Sequence, residues 1–374
     1  DRPVFGEVNK LLGETDTSKI NSFCVKNDKV LSVKHSGKAE FWDLASTKGT
    51  GKKLATEKYT TGILNKDGGL AFLATAKTNE IVAWNTISDA LSFKLEGHPE
   101  NEIISLFLME DKNLLVSADL SGKVSLWDLQ LKKNIKNLNI KKHLGFFISL
   151  FKNDLVFAND ADYLLVRNGR TCLFWNIKED KIAAEIIIGE GNTGERITHI
   201  KISPDSKYLI LGLAKGSIQI WSLEKGVKEK NLVGHNSDIE DIVFLNANFF
   251  ASASRDREIR IWNIQNERTE WGYSVADEYA NNFYTSPEFI QVDLKRNSLW
   301  AAGSVIRELK LPDFLKTTNV GVSENSYQPL VYSALLAKKE AEPISNSLKQ
   351  LEEKSDKITS NSTATFGNGE TEES

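Results

Sequence analysis

The sequence lacks most of the residue patterns on which metal, redox and enzyme chemistry depend. It has only two cysteines, Cys24 and Cys172, which are far apart and outside any CxxC pair, so a sulfur-based metal or redox site is not indicated. Its five histidines lack metal-ligand spacing, and it contains no GxxxxGK[ST], HExxH or GxSxG motif. We therefore expect no metal, no cofactor and no catalytic residues, so the protein is predicted not to be an enzyme.

Two further absences concern membranes and nucleic acids. No stretch approaches the roughly 18 uninterrupted apolar residues of a membrane helix, and the first residues lack the apolar segment of a classical secretion signal. The formal net charge is −4, so the chain as a whole lacks the basic excess expected of a general nucleic-acid binder. These features predict a soluble intracellular protein, cytoplasmic or nuclear, without membrane insertion.

What the sequence does contain is a repeat. Each unit has a short apolar strand, a tight turn and a second strand that ends near a tryptophan. The tryptophans are 41 to 48 residues apart, at Trp42, Trp84, Trp127, Trp175, Trp221 and Trp262. A seventh, weaker unit contains SLWAAGSVIRELKLPD, with Leu309 at the tryptophan position. A period of this length indicates one array of equivalent β-units.

These units resemble the repeats of the WD-repeat family of β-propellers, which have a Gly-His pair and a Trp-Asp pair. The Gly-His pair occurs at 97–98 and 234–235, and the Trp-Asp pair at 42–43 and 127–128. The resemblance implies an all-β fold, a seven-bladed β-propeller over residues 1–320. Residues 3–12 are expected to supply the strand that closes blade seven; a loose N-terminal tail is the alternative.

A segment of different character follows the propeller. Over residues 321–374 the strand pattern stops, and two short helices are predicted on either side of Pro343. The final residues are polar and small, a composition typical of disorder. Residues 341–374 contain seven acidic and three basic side chains, so this C-terminal extension carries the net negative charge of the chain.

The resemblance also implies a buried hydrogen-bond network in the best-preserved blades. In the family, a histidine before the first strand, a serine or threonine on the second strand, an aspartate in the next turn and the tryptophan are linked. In blade six these positions are His235, Ser252, Asp256 and Trp262. Blade three has His98, Ser117 and Trp127, but Ser121 at the aspartate position, so its network is expected to be incomplete. Because an unpaired buried polar group costs about 1–3 kcal/mol, these residues are predicted to be structural.

For function, the resemblance points to the top face of the propeller, where members of the family bind partners through residues before the tight turns and at the start of the innermost strands. The residues before the turns are His35, Lys77, Leu120, Asn168 and Arg255. The residues at the strand starts are Lys19, Asn101, Arg196, Asp238 and Glu240, with blade two too irregular to assign. The basic side chains in this set favour an acidic or phosphorylated partner segment.

These observations favour a protein–protein interaction scaffold or adaptor subunit. The alternative is a subunit of an RNA–protein assembly that contacts RNA through the lysine-rich stretches 131–143 and 225–230. Lysines that protect an exposed edge strand explain the first stretch equally well. A substrate receptor of a ubiquitin ligase is disfavoured, because the arginine that such members often carry is replaced in WDLA, WDLQ and WNIQ.

Overall fold

The computed structural model describes residues 8–12, 18–45, 52–54, 57–140, 155–157, 162–189, 195–266, 268–274, 286–293, 295–303 and 306–317. Within these residues, 28 β-strands form seven antiparallel sheets of four strands each. In six sheets the four strands follow one another in the chain, whereas in the seventh the first strand of the chain takes the outermost place. The sheets are the blades of a propeller, so the predicted all-β, seven-bladed fold is confirmed.

The first three blades follow the predicted repeats. Blade one contains β2 (Ile20–Lys26), β3 (Lys29–Lys34), β4 (Ala39–Asp43) and β5 (Lys52–Leu54). Blade two contains β6 (Tyr59–Leu64), β7 (Leu70–Thr75), β8 (Ile81–Asn85) and β9 (Ala90–Leu95). Blade three contains β10 (Ile103–Met109), β11 (Leu114–Asp119), β12 (Lys123–Asp128) and β13 (Lys133–Asn139).

The remaining blades complete the ring. Blade four contains β14 (Leu155–Phe157), β15 (Tyr163–Asn168), β16 (Thr171–Asn176) and β17 (Lys181–Ile187). Blade five contains β18 (Ile197–Ile202), β19 (Tyr208–Leu213), β20 (Ile218–Ser222) and β21 (Val227–Leu232). Blade six contains β22 (Ile239–Phe244), β23 (Phe249–Ser254), β24 (Glu258–Asn263) and β25 (Thr269–Ser274). Blade seven contains β26 (Phe289–Asp293), β27 (Ser298–Ala302), β28 (Ile306–Lys310) and β1 (Val8–Leu12).

The N-terminal strand lies in the last blade. β1 pairs antiparallel with β28, in a register that places Val8 opposite Leu309 and Leu12 opposite Ile306. This pairing supplies hydrogen-bond partners to an edge of β28 that would otherwise be open. Residues 3–7, the rest of the segment proposed to close blade seven, lie outside the described residues.

The apolar core lies between blades, because each sheet presents one side to each neighbour. Seven clusters of buried side chains occur, one for each pair of adjacent blades. Between blades four and five, for example, Phe174 and Cys172 pack with Ile200 and Leu209. Cys24 and Cys172 are both free, and burial raises the pKa of each thiol. Stability therefore comes from burial at every blade interface at once.

The innermost strands share a local irregularity that orients the loops. In β2, β6, β10, β18 and β22 the pairing register shifts by one residue immediately after the first residue of the strand. Such a bulge bends the strand and increases its twist. The five bulged positions are Asn21, Thr60, Ile104, Thr198 and Glu240. The bulge thereby separates the first residue of each of these strands from the regular hydrogen-bond ladder of the rest of the strand.

After β28 the described chain ends in a short helix, α1 (Phe314–Thr317). Leu315 is buried in the cluster between blades six and seven, and the rings of Phe314 and Phe249 are 5.6 Å apart. Both predicted C-terminal helices and the acidic tail, residues 321–374, lie outside the described residues. Among the residues described, no helix combines the length and apolar character needed to span a bilayer.

Candidate functional site

The top face, as we use the term, is the side of the ring where the innermost strands begin and the turns between second and third strands lie. Backbone hydrogen bonds join these two features within a blade. The amide of His35 donates to the carbonyl of Lys19 at 2.7 Å, and that of Arg255 donates to the carbonyl of Asp238 at 3.0 Å. The proposed turn and strand-start residues of blades one and six are thus held side by side.

Two of the assignments made from sequence are displaced by one residue. In blade three the amide of Leu120 donates to the carbonyl of Glu102 at 3.2 Å, so Glu102, not Asn101, is equivalent to Asp238. In blade two the amide of Ala76 donates to the carbonyl of Lys58 at 2.8 Å. Ala76 therefore has the position given to Lys77, and Lys58 is the strand-start residue that sequence reasoning left unassigned. The turn between β7 and β8 is two residues longer than those of blades three and six, which displaces Lys77. The segment between His98 and β10 is one residue longer than that between His235 and β22, which displaces Asn101.

The remaining proposed residues also lie on this face. Arg196 immediately precedes β18, and its carbonyl accepts a hydrogen bond from the amide of Ala214 at 2.9 Å. Asn168 is exposed at the end of β15, where it pairs with Thr171 across a two-residue turn. Glu240 is the bulged residue of β22.

Neighbouring blades are in close contact on the top face. The amide of Tyr59 donates to the carbonyl of Gly37 at 2.8 Å, and the amide of His98 donates to the carbonyl of Asn79 at 2.9 Å. Gly97 has φ +71°, and a Cβ there would lie 1.8 Å from the Asn79 carbonyl oxygen. This approach requires glycine at position 97, which gives the Gly-His pair of blade three a structural reason. The turns of one blade and the strand start of the next thus form one continuous surface.

Four of the proposed binding residues form ion pairs with one another. The guanidinium of Arg196 pairs with Asp238, and that of Arg255 pairs with Glu240 and lies 4.0 Å from Asp238. The hydrogen bond and charge of Glu240 raise the pKa of Arg255. Between blades one and seven, Lys19 pairs with Glu288 at 3.0 Å. The charges of Arg196, Asp238, Glu240 and Arg255 are therefore matched within the protein.

In blade six one serine hydroxyl links the histidine to the tryptophan. His235 contacts Ser252 Oγ through Nε2 at 2.8 Å and Asp256 Oδ2 through Nδ1 at 2.9 Å. The indole Nε1 of Trp262 donates to Ser252 Oγ at 2.7 Å. These are the four residues proposed from sequence, and they lie in one connected chain.

Blade three contains a complete network, so the prediction that it would be incomplete is wrong. His98 contacts Ser117 Oγ at 2.7 Å and Asp119 Oδ2 at 2.8 Å, and Trp127 donates to Ser117 Oγ at 2.8 Å. The carboxylate comes from the last residue of β11 instead of from the turn. Ser121, at the expected aspartate position, donates its backbone and side-chain hydrogens to Asp119 Oδ1.

The two blades use the same pair of residue types in opposite order. Blade six has Ser254 at the strand end and Asp256 in the turn, whereas blade three has Asp119 and Ser121. From either position the carboxylate reaches the histidine Nδ1. Sequence reasoning failed because it assigned the carboxylate to one position only.

Hydrogen bonds determine the pKa of both aspartates. Burial alone would raise the pKa of Asp256, but bonds from His235 and from the amides of Asn236 and Glu258 outweigh it and lower the pKa to about 2. The pKa of Asp119 is likewise lowered, because bonds from His98 and from the turn outweigh burial. Both carboxylates are therefore ionised at neutral pH.

One group of side chains has the residue types of a metal site, but hydrogen bonds within the blade already occupy its histidine nitrogens and one of its carboxylates. One ligand atom each of His235, Asp256 and Glu258 lies within 4.8 Å of the others. Both ring nitrogens of His235 are already engaged, and Glu258 accepts from the Arg260 guanidinium at 2.6 Å. These contacts explain the cluster as part of the blade network.

A buried pair on the innermost strands was missed by sequence reasoning. His199 Nε2 lies 3.2 Å from Asp241 Oδ1, across the interface of blades five and six, and Asp241 Oδ2 accepts from the Ile290 amide of blade seven at 2.8 Å. Burial, with Lys201 nearby, lowers the pKa of His199 to about 3, and burial raises that of Asp241 to about 6. The sequence signal that could have revealed this pair is the presence of polar residues, His199 and Asp241, at equivalent positions of two innermost strands.

Four lysines of the stretches considered for RNA have contacts within the protein. Lys136 Nζ donates to the backbone carbonyl of Ile177 at 2.5 Å, and Lys230 Nζ donates to those of Ile264 and Gln265 at 2.6 and 2.8 Å. In the first stretch Lys132 Nζ lies 4.9 Å from the centre of the Phe93 ring. In the second, Lys225 pairs with Glu229 at 2.7 Å.

Comparison with known proteins agrees with this geometry. The family model for the WD domain, G-beta repeat, matches residues 90–128, 185–222 and 226–263. Together with the seven four-stranded sheets, these three matched repeats support the resemblance of the chain to the WD-repeat β-propellers.

Three curated proteins illustrate the relationship. The chain is 25% identical to mouse apoptotic protease-activating factor 1 over 41% of its own length and 13% of that protein. It is 22% identical to an uncharacterized WD repeat-containing protein of Schizosaccharomyces pombe over 61% of its length and 59% of that protein. It is 22% identical to WD repeat-containing protein JIP5 of Cryptococcus neoformans over 73% of its length and 69% of that protein. The chain thus spans a small part of the first relative and well over half of the other two.

Proposed function

We propose that the protein is an interaction scaffold or adaptor subunit that binds segments of partner proteins on its top face. The observation that carries this proposal is the continuity of the face. Exposed side chains at the turns and strand starts are held by backbone hydrogen bonds within blades and between adjacent blades. A rigid core that carries exposed loops is the arrangement on which binding residues are most often found.

The top-face residues proposed from sequence differ in what they offer a partner. Leu120 is 43% exposed, an apolar side chain in a polar surrounding, and His35, Lys77 and Asn168 are exposed polar side chains. Apolar anchors surrounded by polar groups are typical of protein–protein contacts. Arg196, Asp238, Glu240 and Arg255 instead support the shape of the face through their mutual ion pairs.

Contact with RNA through the lysine-rich stretches is the less favoured function. Phosphate binding requires lysines that are free to pair with phosphates. Lys136 and Lys230 are committed to backbone carbonyls, Lys132 to an aromatic ring and Lys225 to a carboxylate. Each of these contacts would have to break before the lysine could bind a phosphate.

We propose no catalytic role. The histidines of blades three and six use both ring nitrogens in structural bonds. His199 and Asp241 are buried between inner strands, where they join three blades. These contacts give His199 and Asp241 a structural role.

The proposal is tested by affinity purification from the source cells with a top-face variant and a rim variant. Leu120→Arg with Lys77→Glu changes two exposed top-face positions, and Ile135→Arg with Lys133→Glu makes the same changes on the outer strand of blade three. We expect the first variant to lose partners that the wild type and the second variant retain. Equal partner sets for all three proteins would contradict the proposal.

A further inference from the structure

We propose that the top face over blades one to three binds a partner segment with separated charges, its anionic part over blades one and two and its cationic part over the start of blade three. This inference rests on the proposed function, because it names the partner chemistry of the same face. Some charged side chains of this face form ion pairs within the protein and others do not, and the second group determines the proposed partner.

The first half of the surface is basic. We call His35, Lys58 and Lys77 the basic arc. All three are exposed, and within the described residues none of their side chains forms an ion pair or hydrogen bond. Glu57 precedes Lys58 in the chain but forms no ion pair with it within the same residues. In the basic arc, Lys58 and Lys77 thus present ammonium groups that no neighbouring carboxylate neutralises by direct contact.

Backbone contacts hold the basic arc together. A Cβ at Gly37 would lie 2.7 Å from the Cβ of Lys58, so the turn of blade one packs against the start of blade two. The amide of Tyr59 donates to the Gly37 carbonyl, and the amide of Ala76 donates to the Lys58 carbonyl. His35, Lys58 and Lys77 therefore follow one another across two blades on one rigid backbone.

The second half of the surface is acidic. We call Glu100 and Glu102 the acidic arc. Both are exposed and form no side-chain ion pair within the described residues. The amide of His98 donates to the carbonyl of Asn79, which holds the loop that leads into β10 against the turn containing Lys77. The acidic arc therefore begins where the basic arc ends.

The opposite side of the ring contrasts with these arcs. Over blades five and six, Arg196 and Arg255 are paired with Asp238 and Glu240. An external anion at Arg196 or Arg255 would compete with the carboxylates already paired with them, whereas it would meet the basic arc without such competition. The acidic-partner preference drawn from sequence therefore shifts from Arg255 to blades one and two.

The two arcs together determine the partner chemistry. A uniformly acidic segment is attracted by the basic arc but repelled by the acidic arc, and a uniformly basic segment meets the reverse. A segment with an acidic block next to a basic block satisfies both arcs at once. Charge repulsion against the wrong pattern supplies specificity, as in other interfaces that discriminate between partners.

The test uses two labelled peptides of identical composition and zero net charge. One has a glutamate block and a lysine block separated by serines, and in the other the charges alternate. Binding to the full chain is measured by fluorescence anisotropy at low salt, where surface charges are least screened. We expect the block peptide to bind about tenfold more tightly than the alternating peptide.

Variants locate the binding. Lys58→Glu with Lys77→Glu, or Glu100→Lys with Glu102→Lys, removes one arc and is expected to abolish the preference for the block peptide. All four changes together restore two opposite arcs in exchanged places, so the preference should return. Lys133→Glu with Lys228→Glu, on the outer strands, makes the same net charge change as the first pair and should leave the preference intact.

The outcomes separate this inference from the function on which it rests. Equal binding of the two peptides, or no recovery in the fourfold variant, would overturn the charge assignment. If co-purified partners still depend on Leu120, the scaffold function stands without it. If partners are unaffected even by Leu120→Arg with Lys77→Glu, the proposed function fails as well.

Discussion

At the scale of single residues, the Ser252 hydroxyl is central to blade six. It meets His235 Nε2 at 2.8 Å and Trp262 Nε1 at 2.7 Å, and all three side chains are buried. Blade one has Ser32 and Trp42 at the equivalent positions, yet Ser32 Oγ and Trp42 Nε1 have no hydrogen-bond partner within the described residues. The serine and the tryptophan are thus hydrogen-bonded to each other in blade six but not in blade one.

We predict that Ser252→Ala lowers the free energy of unfolding by about 2 kcal/mol, because it leaves a buried imidazole and a buried indole without their shared partner. Urea denaturation monitored by tryptophan fluorescence measures the change. Ser32→Ala in blade one is the matched control and should cost less than about 0.5 kcal/mol. Similar losses for the two variants would show that the network adds nothing.

Asp256 gives a pH-dependent prediction. Its pKa is 3.8 in the unfolded chain and about 2 in the folded protein, so the folded protein gains stability when this carboxyl is ionised. The gain is present above about pH 4 and is lost as the pH falls towards about 2. When the pH is lowered from about 5 to about 2.5, the free energy of unfolding should fall by about 2 kcal/mol less in Asp256→Asn than in the wild type. Parallel pH profiles would contradict this assignment.

The sequence was informative about blade six at the residue scale because its four network residues follow the family order. It was misleading about blade three, where Asp119 replaces the expected turn aspartate. A carboxylate that reaches the same histidine from two positions cannot be located by spacing alone. His199 and Asp241 were missed for a related reason, since a contact between blades leaves no pattern within one repeat.

At the scale of elements, the outer strands contact the next blade through one equivalent position. Lys136 of β13 and Lys230 of β21 have equivalent registers, opposite Leu126 and Ile220. Each ammonium donates to backbone carbonyls of the following blade. In blade two Phe93 has this position, and Lys132 of blade three lies over its ring. Lys136 and Lys230 of the outer strands, and Lys132 beside β13, thus connect neighbouring blades.

We predict that Lys230→Met lowers the free energy of unfolding by about 1 kcal/mol, because two backbone carbonyls lose a charged donor while the aliphatic packing is kept. Lys228→Met on the same strand is the control, since Lys228 is exposed and makes no ion pair within the described residues. Its effect on equilibrium denaturation should lie within about 0.5 kcal/mol of zero. A larger loss for Lys228→Met than for Lys230→Met would refute this role.

The lysine pattern itself was readable from sequence, but its meaning was not. A row of lysines on an outer strand fits edge protection, RNA contact and contact with the next blade equally well. Only the carbonyl groups within reach of Lys136 and Lys230 distinguish the last from the first two, and these belong to a different repeat.

At the scale of the whole molecule, the ring is closed by contacts far apart in sequence. Arg296 of blade seven donates to Asp28 of blade one at 2.9 Å and to Glu308 of its own blade at 2.9 Å. Lys295 adds a second bond to Asp28 at 3.0 Å. Hydrogen bonds from both basic residues lower the pKa of Asp28. These contacts reinforce the apolar cluster between blades one and seven.

We predict that Arg296→Met lowers the free energy of unfolding by about 2 kcal/mol, because Glu308 is 3% exposed and loses its charged partner. Arg268→Met, at an exposed position without an ion pair in the described chain, should have little effect. The two variants are compared by thermal and chemical denaturation. No difference between them would mean that this contact is irrelevant to closure.

Six blades followed from the tryptophan spacing, because each of these indoles stands at the same register in its sheet, and the seventh followed from the weaker unit with Leu309 at that position. The ion pairs of the surface could not be predicted from this spacing. Whether Arg196 pairs with Asp238, or Lys19 with Glu288, depends on how the side chains of adjacent blades are placed relative to one another. The sequence-based list of binding residues therefore combined side chains that are matched within the protein with side chains that are not.

The most direct test of the interaction face is site-specific photo-crosslinking in the source cells. A photoreactive amino acid is introduced at Leu120 or His35 on the top face, and at Lys66 or Asp205 in loops at the opposite ends of the innermost strands. The scaffold account predicts protein adducts from the first two positions and few from the last two. Adducts that arise mainly from Lys66 and Asp205 would contradict it.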